Sequence, residues 1–170
     1  KFPHTLIIDK DGKNEFDPEI LSNLIEKNID KILLNSERKY EIIAVAVDSM
    51  ASTFIGLDKN RKPLTNVFTY ADTRSKSQME MIKREIDLEE VYNRTGCPIH
   101  TAYIPSKIRW INSVFPNLYK NIEYWCDFST YLYYRWFSNQ DVPSSYSIAS
   151  WSGLFNRYEL EWDEELLRHI

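Results

Sequence analysis

Two short polar stretches carry the residues whose types and spacing could do chemistry. VDSMAST (47–53) interrupts two apolar runs, and TYADTRS (69–75) closes a third. In the second stretch an acid and a base, Asp72 and Arg74, stand two positions apart beside the phenol of Tyr70. α/β proteins gather ligands where neighbouring strands end at one edge of a sheet. A carboxylate, a guanidinium and a few hydroxyls at such an edge can orient a small polar molecule. The same residues also fit a plainer reading, in which Asp48 and Ser49 form a turn, Asp72 caps the next helix and Arg74 is solvated. The pattern alone leaves both open.

Other chemistries find little support. His4, His100 and His169 lie far apart, and none has a Cys, Asp or Glu at a metal-ligand spacing. No serine sits in a G-x-S-x-G context. The four glycines, Gly12, Gly56, Gly96 and Gly153, are too scattered for a loop that cradles phosphate, so any nucleotide site is expected outside this sequence. The aromatic run from Tyr124 to Phe137 could offer stacking platforms, but its helical spacing in an acidic chain favours packing.

Composition narrows the partners. With 21 basic against 25 acidic residues and a formal charge of −4, the 170-residue chain has no basic block to neutralise a polymer of phosphates. No nucleic acid is expected, and no membrane either, because no apolar stretch approaches the roughly 18 residues of a span. Two cysteines, Cys97 and Cys126, are too few for a disulfide framework, and a cytoplasmic setting is expected. The chain starts at Lys1 without a methionine and stops inside the helical-looking WDEELLRHI, so it is expected to be part of something longer.

The elements that must position the polar stretches follow from periodicity. Asp17 as N-cap and Pro18 at the first helical position open a helix over 17–36. Its Ile20, Leu21, Leu24, Ile25, Ile29, Ile32 and Leu33 recur on one face, which should be buried. IIAVAVD (42–48) lacks polar alternation and predicts a strand covered on both faces. Further strands are predicted over 52–58 and 66–70, joined by the turn-rich DKNRKPL. Helices are predicted over SQMEMIKREI, PSKIRWINSVF and DFSTYLYYRWF and from WDEELL onward. This order gives an α/β domain with a mixed sheet and packed helices.

Six collinear segments together resemble the N-terminal domain of the FGGY family of carbohydrate kinases. NEFDPE (14–19) is similar to the family's E-x-D-P-E entry to its first long helix. IIAVAVDSMASTFIGLDKNRKPL (42–64) resembles its strand, substrate loop, strand and D-x-x-G-x-P-L turn, with Asn60 and Arg61 where Asp-Gly is common. FTYADTRS (68–75) resembles its W-x-D-x-R segment, Tyr70 standing for the tryptophan. RTGCPIHTAYIPSKIRW (94–110), SYSIASWSGLFN (145–156) and WDEELL continue the likeness. TGCPIH and TYADTR lean toward the gluconokinase-like branch.

The resemblance implies a ribonuclease H-like, actin-like ATPase fold and ATP-dependent phosphoryl transfer, helped by Mg2+, to a hydroxyl of a small sugar or sugar acid, gluconate being favoured. It implies a two-domain enzyme with a cleft, whose D-x-G-T phosphate hairpin, catalytic aspartate and nucleotide-binding domain lie outside residues 1–170. No catalytic residue is therefore assigned here, and neither ATP nor metal is expected on this chain alone. The substrate loop maps to Ser49, Met50, Ala51 and Ser52, where relatives often carry an aromatic, a histidine or an Arg-Glu pair. Asp72 is the expected polar contact, Arg74 its orienting partner or a brace, and Tyr70 and Tyr103 the walls. The small loop keeps two alternatives open: a xylulose-type or other sugar kinase, and a binding or regulatory protein that keeps the fold without catalysis. Whether identical chains assemble is also open.

Overall fold

The computed structural model describes residues 5–36, 40–137 and 142–170. The chain begins with an antiparallel hairpin of β1 (Ile7–Ile8) and β2 (Asn14–Phe16), whose turn is closed by Asp9 Oδ1 accepting the N–H groups of Asp11 and Lys13. Asp17 then accepts the N–H groups of Glu19 and Ile20 at 2.9 Å, and Pro18 starts α1 (Pro18–Ser36), as its capping residues predict. Only part of the expected apolar face is packed, and Ile20 at its start is 65% exposed. Leu21 and Ile25 lie on the core, whereas Ile29, Ile32 and Leu33 are exposed.

β3 (Ile55–Leu57) and β4 (Val67–Phe68) flank a turn that the isolated antiparallel bridges Phe54–Phe68 and Leu57–Pro63 hold together. In that turn Asp58 Oδ1 accepts the N–H groups of Asn60 and Lys62, both at 2.8 Å, and Arg61 takes a left-handed φ of 61°. The Arg61 guanidinium lies 4.2 and 4.1 Å from the ring centroids of Tyr124 and Tyr134. Such contacts are worth about 0.5–2 kcal/mol each, enough to offset the ~1–2 kcal/mol that a non-glycine residue loses in that conformation.

β4 pairs with β2 on one side and with the backbone of Phe54 on the other, and β5 (Tyr124–Cys126) pairs with β3. One sheet thus runs β1, β2, β4, and the isolated Phe54–Phe68 bridge links it to the two-stranded sheet of β3 and β5. Every pairing among the described residues is antiparallel. The parallel partner expected of a mixed sheet would have been IIAVAVD, and here the structure differs. Residues 42–48 form no strand, with Ile43 90% and Val45 79% exposed. A run apolar on both sides stays in a sheet only between neighbouring strands and under two covering layers. Among the described residues no strand pairs with it.

The helices follow: α2 (Lys76–Glu85), α3 (Leu88–Thr95), α4 (Ile104–Val114), α5 (Pro116–Tyr119), α6 (Phe128–Trp136), α7 (Tyr146–Ser150) and, after the hairpin of β6 (Phe155–Asn156) and β7 (Glu161–Trp162), α8 (Glu164–Leu167). Asp87, Asp127 and Asp163 cap α3, α6 and α8 through their side chains. The aromatic run is largely packing: Phe128 and Tyr131 are core, with Tyr124, Tyr134 and Trp136 against them. A second core holds Ile82, Val91 and Leu166, and a third, under the candidate site, holds Phe54, Phe68, Ile108 and Ile111.

Candidate functional site

Strand pairing brings the two polar stretches together. Phe54 and Phe68 exchange backbone hydrogen bonds, N–H to carbonyl, at 3.2 and 2.9 Å. Residues 49–53 enter this antiparallel pair at the end where residues 69–75 leave it, so the two loops share a rim. A third loop joins them through α4, since Lys107 Nζ donates to the carbonyls of Thr69 at 2.8 Å and Ala102 at 3.4 Å. A fourth segment closes the set: Ser52 Oγ donates to the Trp151 carbonyl at 2.9 Å, and Ile104 N–H donates to the Ser152 carbonyl at 3.0 Å.

Met50, Ala51 and Ser52 line a cavity of about 330 Å³ with Ile104, Trp125 and Tyr134. Met50 is exposed, and its carbonyl accepts the Thr53 hydroxyl at 2.7 Å. Ser52 holds a left-handed φ of 55°, which its bond to Trp151 helps to fix. Ser49 Oγ is buried with no hydrogen-bond partner among the described residues, an acceptor and donor left unspent in the loop. Tyr70 is 61% exposed on the rim. Tyr103 is half-buried beside Cys97, and burial followed by that thiol pushes its phenol up.

Asp72, expected as the polar contact at this rim, is turned inward instead. It is 1% exposed, and its Oδ2 accepts the Asn14 N–H at 3.0 Å and Arg74 Nη2 at 2.7 Å. Arg74 Nη2 also pairs with Glu15 of β2, which is itself buried. Burial pushes the Arg74 guanidinium down, but its bonds to Asp72 and Glu15 outweigh this and leave it raised. The group therefore ties the 69–75 loop to the first hairpin. The plainer alternative is absent too, because the N-cap of α2 is Ser75, with no side-chain cap bond.

Sequence reasoning passed over two residues here. Lys107 is fully buried at the base of the rim, where desolvation lowers its ammonium to about 8. Its position inside the predicted helix, flanked by Ser106 and Ile108, was the available signal: a lysine on the inward face. The other is His100, exposed on the third loop, whose Nδ1 accepts the Ala102 N–H at 3.0 Å and leaves Nε2–H to donate outward. In the sequence it stands apart from other metal ligands and carries no signal of a hydrogen-bonding role.

The cavity beside Met50 to Ser52 has largely apolar walls with a few hydroxyls, and Tyr70, His100 and Tyr103 stand on neighbouring loops outside its lining; hydroxyls, an imidazole N–H and apolar walls are groups suited to orienting a polyhydroxylated molecule. Asp127, also at the cavity, is spent on Thr130 and Ser129 at the start of α6, whereas Asp48, at the head of the 49–53 loop, is exposed. Among the described residues no three His, Cys, Asp or Glu side chains are grouped to hold a metal. The donor set does not fit a magnesium–triphosphate complex. No described helix is long and apolar enough to cross a membrane.

Comparison with known proteins agrees with this architecture. The profile for the N-terminal domain of the FGGY family of carbohydrate kinases matches residues 1–170. Gluconokinase of Bacillus subtilis (strain 168) is 36% identical over 124 residues, covering 73% of this chain and 24% of that protein. Glycerol kinase of Thermococcus onnurineus (strain NA1) is 34% identical over 131 residues, covering 75% of this chain and 26% of that one. Gluconate kinase from Lactobacillus acidophilus superposes with a TM-score of 0.89 at 25% identity, over 98% of this chain and 33% of its own. Xylulose kinase from Rhodospirillum rubrum gives a TM-score of 0.91 over 99% of this chain and 35% of its own, a likeness of fold at 20% identity. The chain spans about a quarter of the length of the curated relatives it matches.

Proposed function

Because the chain belongs to the FGGY family of carbohydrate kinases, with their actin-like ATPase fold, we propose that it forms the sugar-side wall of a two-domain kinase. That kinase moves the γ-phosphoryl group of ATP to a hydroxyl of a sugar or sugar acid. The reading rests on one observation: the loop of Met50, Ala51 and Ser52 and the loop of Tyr70 emerge together from the Phe54–Phe68 pair. The nucleotide with its Mg2+ supplies the phosphoryl group and neutralises its charge in transfer, from a second domain across a cleft. The base that takes the hydroxyl proton is assigned to that second domain as well, since Asp72 is buried against Arg74 and Asp127 is spent as the cap of α6.

This chain's own contribution is positioning. Met50 and Ala51 form apolar walls, while Ser52, Tyr70 and His100 hold hydroxyls, and the braced Asp72–Arg74–Glu15 group keeps Tyr70 in place. Orientation of the acceptor against the phosphoryl group is a large part of such catalysis. Gluconate is the favoured acceptor, from the similarity to gluconokinases. Xylulose is second, favoured by a specific observation: Arg74 is paired and Lys107 buried, so neither presents a cation to a carboxylate at the rim.

The test is ADP release by the two-domain enzyme with gluconate, xylulose, ribulose, rhamnulose and glycerol. The highest kcat/KM is expected with gluconate; a higher value for xylulose would move the assignment to the pentulose. Binding of a sugar without turnover of any would favour the binding-protein alternative. The isolated domain is expected to turn over no ATP.

A further inference from the structure

We propose that Lys107 is a positioning residue for the acceptor sugar: its ammonium clamps the loop of Tyr70 to the loop of His100 and Tyr103 and so sets the gap between them. The inference rests on the reading of this rim as the sugar site.

Fully buried lysines are rare unless paired, because an ammonium loses its hydration in an apolar interior. Lys107 is 1% exposed, on a helix that also buries Ser106, Ile108 and Ile111, and among the described residues it forms no ion pair. Its charge is met by two carbonyl dipoles, Thr69 at 2.8 Å and Ala102 at 3.4 Å. Asp72 attracts and Arg74 repels it from farther away, and burial outweighs both in lowering its pKa. A leucine or methionine would fill this place at no desolvation cost. What the lysine adds is a three-donor head that can reach two loops at once.

Both acceptors are one residue from a rim side chain: Thr69 precedes exposed Tyr70, and Ala102 precedes Tyr103. The adjacent residue on α4 grips the far end of the first loop, for Ser106 Oγ lies 2.9 Å from Ser75 Oγ and both are buried. The first turn of α4 therefore holds the 69–75 loop at its two ends and the 100–103 loop at one. Tyr70 and Asp72 lie between the two grips.

The test compares wild-type, Lys107→Gln and Lys107→Met forms of the two-domain enzyme. Gln keeps one donor and Met none. The sugar KM should rise in that order, at least tenfold for Met, with the ATP KM within twofold and kcat within threefold. Amide hydrogen exchange should quicken at residues 70–71 and 101–103 and not in α2 or α6. A general loss of structure would instead raise both KM values and exchange throughout, and this overturns the clamp, as does a sugar KM within twofold for Met. Should the Met variant not fold, Gln carries the same comparison against wild type. A wild-type enzyme that phosphorylates no sugar overturns the rim reading and the clamp together; a working wild type with an unmoved sugar KM in the variants overturns the clamp alone.

Discussion

Gly153 lies against Tyr103 so closely that a β-carbon on it would stand 2.9 Å from the tyrosine's own Cβ. The glycine also holds φ at +77°, so a side chain there is strained twice, by backbone and by contact. Gly153→Ala should cost about 2–4 kcal/mol in urea unfolding, the sum of a left-handed strain and a displaced neighbour. Gly96 is the control. It has φ +72°, but its nearest neighbour atoms would be 3.9 Å from an added Cβ, so Gly96→Ala should cost about 1 kcal/mol. Equal losses would mean that the Tyr103 contact is not tight.

Arg74 serves two buried acids, Asp72 and Glu15, and its removal leaves both without their cation. Arg74→Met should destabilise the domain by about 3–5 kcal/mol, as breaking a buried ion pair generally does. Adding Glu15→Gln to that variant should restore part of the loss, because one uncompensated charge is gone. A double-mutant cycle in urea reads this coupling directly, and additive losses would place the two residues in separate environments. Asp72→Asn should likewise lower stability by about 1–3 kcal/mol, with the sugar KM changing less than in Lys107→Met.

Much of the scaffold is legible in the sequence, for reasons that are local. Asp17-Pro18 marks the start of α1 because capping and a fixed proline φ act within one turn. Pro105 and Pro116 likewise bracket α4. The pairing of residues near 54 and 68 follows from a short turn between two apolar runs. What local pattern did not reveal depends on partners distant in sequence. The Ile42–Val47 run reads as a buried strand, yet a strand exists only beside another one. Residues 124–126 read as part of an aromatic run, and their role as β5 appears only through pairing with β3. Asp72 illustrates the same limit at the site. An acid next to a base looks available for a ligand until Asn14 and Glu15, 57 or more positions away, are seen to complete its environment.

Asp163 joins two helices: it caps α8 through the Leu166 N–H at 2.9 Å and accepts Arg94 of α3 at 2.7 Å. Burial pushes this carboxyl up, but Arg94 and the cap bond outweigh burial and hold it below its ordinary value. A depressed carboxyl binds fewer protons folded than unfolded, so its stabilisation is complete above the ordinary value and lost as pH falls through the lowered one. Asp163→Asn should therefore cost about 1–3 kcal/mol near pH 7, with the gap to wild type closing below about pH 4. A gap that stays constant down to pH 2.5 in urea titrations would show that the carboxylate charge is not what Arg94 senses.

The charge state of Lys107 makes the opposite limb of the pH scale informative. Its pKa is lowered by burial to about 8, against an ordinary value of 10.5. Below pH 8 the ammonium is charged in both states, and the folded protein bears the desolvation cost. Between pH 8 and 10.5 the folded protein has released the proton while the unfolded chain still binds it, so stability rises with pH across that window. The full rise amounts to roughly 3 kcal/mol, an upper figure, since water entering on local opening would soften it. Other groups also titrate there, so the quantity to measure is the stability of wild type minus that of Lys107→Met. This difference should be flat from pH 6 to 7 and then grow in favour of wild type up to pH 10.5. The amine remains a donor after losing its proton, so the grip on Thr69 and Ala102 is expected to persist through the change. A difference that shrinks with rising pH would mean that the ammonium is stabilised by charge where it sits, and that a carboxylate rather than two carbonyls is its partner.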